Sequence, residues 1–138
     1  IEKDYAAIYK NSVEEVLQEA DIVSLHAPLL DSTRHLINET RLKIMKPTSF
    51  LINTSRGPVV DEKALEKALR EKTISAAALD VFEFEPETVH GLKNLQNVIL
   101  TPHIASASVA VRNQMAEIAA NNIIDFFEGK NPRNIVNK

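Results

Sequence analysis

No cysteine occurs among the 138 residues, which excludes disulfides, thiol catalysis and cysteine-ligated metals and agrees with a reducing, cytoplasmic setting. Tryptophan is absent too, and glycine occurs only at Gly57, Gly91 and Gly129, so no Gly-x-Gly-x-x-Gly turn can be assembled. Nowhere do apolar residues run for the ~18 positions that a membrane span requires, and no basic-then-apolar leader opens the chain. An excess of basic charge is also lacking: 16 Lys and Arg stand against 19 Asp and Glu, a net charge of −3, with a pI near 5.8. That balance gives no reason to expect nucleic acid or an anionic membrane as partner. The four histidines include no pair at metal-ligand spacing, and no Gly-x-Ser-x-Gly elbow supports serine hydrolysis. The chain opens at Ile1, without methionine and in mid-pattern, and is expected to be a piece of a longer protein.

What is present is ordinary for a soluble domain, with 44% hydrophobic and 25% charged residues. The informative stretch is Leu51-Ile52-Asn53-Thr54-Ser55-Arg56-Gly57-Pro58-Val59-Val60-Asp61-Glu62. An apolar run too short for a helix gives way to small polar residues, an arginine beside glycine, and an acidic helix start, which reads as strand, turn, helix. In an open parallel sheet such a turn faces the ligand crevice. A guanidinium there suits a planar carboxylate, gripped at two points by charge-assisted bonds of ~1.5 to 3 kcal/mol.

Around this stretch, helices and strands alternate. Tyr5 to Tyr9 is a short strand candidate, and Ser12 with Glu15 forms a capping box for a helix carrying Val13, Val16, Leu17 and Ala20 on one face. Asp21 to Ala27, closed by Pro28, reads as a buried strand. Asn38 caps a short helix with Leu42 and Met45 that Pro47 ends, and a strand from Ser49 to Thr54 follows. Asp61 caps a helix with the stripe Leu65, Ala68 and Leu69. Ile74 to Val81 is a third apolar strand, Phe82 to Asn97 a loop, and Val98 to Thr101 a fourth strand stopped by Pro102. The longest helix is expected from about Ser106 to Glu128, with Val111, Met115, Ile118, Ala119, Ile123 and Phe126 at helical spacing and Gly129 at C′. The alternation predicts one α/β domain, a parallel sheet with helices on both faces.

Arg56, Asp80 with Glu85, and His103 each follow a different strand at its carboxyl end, so the topology brings them to one crevice. There an arginine would bind and polarise a carboxylate or carbonyl, and a histidine would exchange a proton near neutral pH. A glutamate bonded to the imidazole favours its charged form and fixes which nitrogen faces the substrate. His26 is read as holding a strand end, while His35 and His90 are structural or exposed.

Four runs together resemble the signatures of the NAD(P)-dependent D-isomer-specific 2-hydroxyacid dehydrogenases. They are Ala20 to Leu29 with Thr33; Lys46-Pro47 through Asn53-Thr54-Ser55-Arg56-Gly57 to Asp61-Glu62; Leu79 to Pro86; and Asn97 to Ser106. The intervals from Arg56 to Glu85 and from Glu85 to His103 match the family as well. The resemblance implies reversible hydride transfer between NAD(P)H and a 2-oxoacid, with Arg56 as substrate anchor, His103 as acid/base and Glu85 as its partner. It makes Asp80 the acid near the nicotinamide carboxamide and places Ala27, Thr54, Ser55, Arg56, His103, Ala105 and Ser106 along NAD or NADP. Glyoxylate, hydroxypyruvate and phosphoglycerate types are the most similar. In the family's strand order, 3-2-1-4-5-6, Tyr5 to Tyr9 corresponds to strand 3 and Asp21 to Ala27 to strand 4. The glycine-rich turn, strands 1 and 2 and the substrate domain have no counterpart, so residues 1–138 correspond to the second half of a Rossmann-like nucleotide-binding domain. Two readings follow: a fragment of a dehydrogenase, inactive alone and prone to associate with a second copy or with a complementary fragment carrying strands 1 and 2, or a binding or assembly module that kept the fold and lost catalysis.

Overall fold

A computed structural model describes residues 4–136. The chain forms two compact units, residues 1–103 and 104–138. In the first unit the elements run α1 (Val13–Glu19), β1 (Ile22–Leu25), α2 (Glu39–Ile44), β2 (Phe50–Asn53), α3 (Glu62–Arg70), β3 (Ala76–Leu79) and β4 (Val98–Leu100). The second contains α4 (Val109–Phe127). The four strands form one parallel sheet in the order β1-β2-β3-β4, the α/β, Rossmann-like arrangement that the alternation predicts.

Helix starts follow the side chains that cap them. Ser12 Oγ accepts the Glu15 N–H at 3.2 Å, Asn38 the Arg41 N–H and Asp61 the Ala64 N–H, both at 3.0 Å. The reciprocal arm of the first box reaches Asn11 N–H, one residue before the cap. Alternate strand residues Val23 and Leu25, Leu51 and Asn53, Ala77 and Leu79 are buried. The apolar ones meet Leu17 of α1, Leu42 of α2, and Leu65, Ala68 and Leu69 of α3 in one core. Each fully buried Leu or Ile contributes ~1.5 to 3 kcal/mol. The opposite face presents Ile22, Phe50 and Ile99, all exposed, so the stretch Asp21 to Ala27 is not the buried strand expected: β1 spans Ile22–Leu25 and buries only Val23 and Leu25, because successive side chains point to opposite faces of the sheet.

Tyr5 to Tyr9 is not a strand: residues 4–6 form a turn and Tyr5, Ile8 and Tyr9 are exposed. A strand needs a ladder partner, and local β-propensity alone does not supply one. The loop from Phe82 to Asn97 contains a 3₁₀ turn at Leu92–Asn94 with Leu92 buried, too short to leave a period in the sequence. The expected start of the long helix moves from Ser106 to Ser108, whose Oγ accepts the Val111 N–H, because Ser106 lies in a turn closed by Ala107 N–H on Ile104 C=O. At the other end Gly129 takes φ +70° at C′, donating to Phe126 C=O while Lys130 N–H bonds Asp125 C=O, the paired closure favoured by glycine.

Candidate active site

The register aligns Leu25, Asn53, Leu79 and Leu100 across the sheet, so the residues that follow leave it at one level. The ladder extends past the strands: Asp80 N–H donates to Asn53 C=O and Thr101 N–H to Leu79 C=O, each at 2.9 Å. Side chains just beyond the strands are thereby held by the core beneath them.

After β2 the turn is built around Asn53, which is buried. Its Oδ1 accepts from Ser55 N–H at 3.1 Å and Ser55 Oγ–H at 2.9 Å, and its Nδ2 donates to Arg56 C=O at 3.0 Å. Both ends of one amide are used, which fixes the chain between Thr54 and Arg56. The exposed Arg56 guanidinium donates through NH1 to Ser55 C=O at 2.7 Å. Ala27, Thr54, Ser55 and Arg56 line an open cleft of about 560 Å³ together with His26, Pro28 and Leu29. His26 Nε2 bonds Ser24 Oγ at 2.9 Å, fastening the end of β1. Asp80, buried after β3, accepts from Thr101 Oγ–H at 2.5 Å.

Glu85 and His103, 18 residues apart, meet directly: Oε2 lies 2.9 Å from Nδ1. The other oxygen of Glu85 accepts the Phe82 N–H at 3.0 Å. The His103 hydrogen bond, first, and the Phe82 N–H hold the Glu85 carboxyl below the usual carboxylate range; partial burial opposes this, and the charges of His103 and Arg56 add to it. Phe82, Glu85, Pro86, Pro102 and His103 enclose a pocket of about 330 Å³. His103 has φ +53° and its N–H reaches Thr101 C=O at 3.0 Å. The left-handed region costs a non-glycine residue ~1 to 2 kcal/mol, and such residues cluster at functional sites. Ala105 and Ser106 lie in a turn of the second unit, both exposed.

Four residues of the site carried no assignment in the sequence reading. Asn53 acts through local bonds to Ser55 and Arg56, a turn that the Asn-x-Ser spacing signals, whereas Thr101 acts through a bond to Asp80, 21 residues away, that only the fold supplies. Gly57 presses on the loop before Glu85: a Cβ there would stand 1.9 Å from the Phe82 carbonyl carbon and oxygen. Glu62, read only as an acidic helix start, is buried and accepts from the backbone of the Glu85 loop. His35 is structural, its Nε2 2.7 Å from Glu83 Oε1, and His90 is exposed.

A family model described as the NAD binding domain of D-isomer specific 2-hydroxyacid dehydrogenases matches residues 1–105. The glyoxylate reductase of Aeropyrum pernix is 54% identical over 139 residues, which cover 100% of this chain and 41% of that protein. Among solved structures, the holo form of D-mandelate dehydrogenase from Rhodotorula graminis superposes with a TM-score of 0.94 at 36% identity, over 99% of this chain and 40% of that one. An NADPH-dependent glyoxylate/hydroxypyruvate reductase from Sinorhizobium meliloti, solved with NADP and malonate, gives 0.83 at 39% identity over 86% of this chain and 37% of the other. The chain thus spans about two-fifths of the length of the curated relatives it matches.

Proposed function

Because this chain belongs to the D-isomer specific 2-hydroxyacid dehydrogenase family, through that family's NAD binding domain, we propose that it is the catalytic portion of an NAD(P)-dependent reductase of small 2-oxoacids. Residues 1–138 are proposed to form part of one nucleotide-binding domain within a longer protein. The observation that carries the reading is the Glu85–His103 pair, 2.9 Å apart at the carboxyl edge of the sheet.

His103 is the acid/base. With Nδ1 taken by Glu85, Nε2 is the atom that holds a proton for the substrate carbonyl oxygen in reduction and takes it back from the hydroxyl in oxidation. Glu85 orients the ring and stabilises its charged form. Arg56 grips the substrate carboxylate and polarises the carbonyl. When bound, NAD(P)H would supply the hydride for the carbonyl carbon, and a D-2-hydroxyacid would result. The chain's side chains suit that cofactor: small Ala27, Thr54 and Ser55 line a cleft, and the Asp80 carboxylate at the end of β3 is an acceptor for a carboxamide N–H. Arg56, His103, Ala105 and Ser106 are the further proposed cofactor positions. Similarity to the Aeropyrum pernix protein favours glyoxylate as the test substrate, and the chain as given is proposed to be inactive alone.

The test is oxidation of NADH on adding glyoxylate, in a protein that joins this chain to the glycine-rich and substrate-domain portions it lacks. Turnover is expected, and His103→Gln is expected to lower it ~10²- to 10⁴-fold. A variant that keeps the parent rate removes His103 from the role.

A further inference from the structure

We propose that Glu62 is the positioning residue of the site, clamping both ends of the loop that carries Glu85 and so setting Glu85 against His103; this rests on the catalytic reading of that pair. Glu62 is the first residue of α3, rooted by Leu65 and Leu69 in the core, and is itself 1% exposed. Its carboxylate reaches away from the helix to a segment more than 20 residues on in sequence. Oε1 accepts the N–H of Glu83 in a short bond. Oε2 accepts the N–H of Val89 at 3.0 Å and the Thr88 hydroxyl at 3.3 Å. Glu85 lies between the two anchored backbone groups, at a tight turn where Glu87 N–H bonds Phe84 C=O at 2.8 Å.

Only a carboxylate serves both ends at once, since it accepts on two oxygens whereas an amide accepts on one. Other contacts leave the loop little choice of path. Gly57 abuts the Phe82–Glu83 backbone on one side. The Glu83 side chain is held by His35 Nε2 at 2.7 Å and Arg34 NH2 at 3.0 Å. The Phe82 N–H, adjacent to the anchored Glu83 N–H, is itself the donor to Glu85 Oε1. Moving the Glu62 anchor therefore moves the bond that aims Glu85. Glu62 touches neither pocket described above and acts through Glu85 alone.

The proposal separates from a purely structural role by what moves besides stability. Glu62→Gln keeps the shape and one acceptor; Glu62→Ala keeps neither. In the 138-residue chain, amide exchange at Glu83 and Val89 and the ¹⁵N shift of His103 Nδ1 are read by NMR, with exchange in β2 and β3 as the measure of global stability. Expected are faster exchange at Val89 or Glu83 and a moved Nδ1 shift in Glu62→Gln, with β2 and β3 unchanged. In the joined protein, kcat for glyoxylate should fall at least tenfold in Glu62→Gln while the NADH dissociation constant stays within twofold. An unmoved Nδ1 shift in a folded Glu62→Gln overturns the proposal, as does parent kcat in that variant. Absence of turnover in the parent itself overturns the functional reading instead, and the NMR arm then decides for Glu62.

Discussion

At the scale of single residues, the candidate site depends on side chains that use both of their hydrogen-bonding ends. Asn53 donates and accepts within one turn, and Glu85 divides its oxygens between Phe82 N–H and His103. The role proposed for Arg56 rests on geometry as well as charge. Arg56→Lys keeps the charge and loses the fork, so in the joined protein kcat/KM for glyoxylate should fall ~10- to 100-fold, about one charge-assisted bond, while NADH binding persists. Unchanged kcat/KM would remove Arg56 from its proposed role. Gly57 matters through what it leaves out. Since a Cβ would overlap the Phe82 carbonyl and lie 2.5 Å from Glu83 N, the loop backbone must shift in Gly57→Ala, at ~1 to 3 kcal/mol of overpacking. The denaturation midpoint should drop accordingly; a variant as stable as the parent would show that the loop yields freely.

Between elements, α2 and α3 are tied by Glu39, whose carboxylate meets Lys43 Nζ at 2.8 Å and Lys67 Nζ at 3.0 Å. Those two hydrogen bonds, Lys43's first, lower the Glu39 pKa from 4.5 to about 2, and the same pairing with Glu39 raises that of Lys67. A carboxylate whose folded pKa lies below its unfolded value adds stability above about 4.5 and loses it as pH falls toward about 2. Urea midpoints of the parent and Glu39→Gln should therefore differ at neutral pH and converge near pH 2. A gap that persists undiminished in acid would mean the ion pairs are not its source. The group is exposed, so the difference is expected to be small.

At the scale of the whole chain, exposed apolar surface matters most within the first unit, where Ile22, Phe50 and Ile99 lie exposed on the sheet. β1 stands at the end of the strand order, an edge that offers unpaired backbone groups to another chain. The chain as given is expected to associate as its concentration rises and to bind NADH poorly, since no glycine-rich turn is present to hold a pyrophosphate. Sedimentation at several concentrations alongside NADH fluorescence titration checks both; a stable monomer with micromolar NADH affinity would contradict them.

Capping residues and apolar periods are local, so Ser12, Asn38, Asp61 and Gly129 marked element ends correctly from the sequence alone, whereas β1 stops at Leu25, short of Pro28. Alternating strands and helices then sufficed for a parallel sheet. The Glu85–His103 contact was legible because family spacing and topology agreed on it. Tyr5 to Tyr9 failed as a strand because strand formation depends on a neighbour that local sequence does not encode. Glu62 was invisible for a related reason: an acid at a helix start is ordinary, and only the packing of α3 against a distant loop turns it into a buried acceptor for two backbone groups. Local chemistry determined where the elements begin and end and how Asn53 shapes its turn; that Glu62 holds the loop of Glu85 was decided by contacts across more than 20 residues, which exist only once the chain has folded.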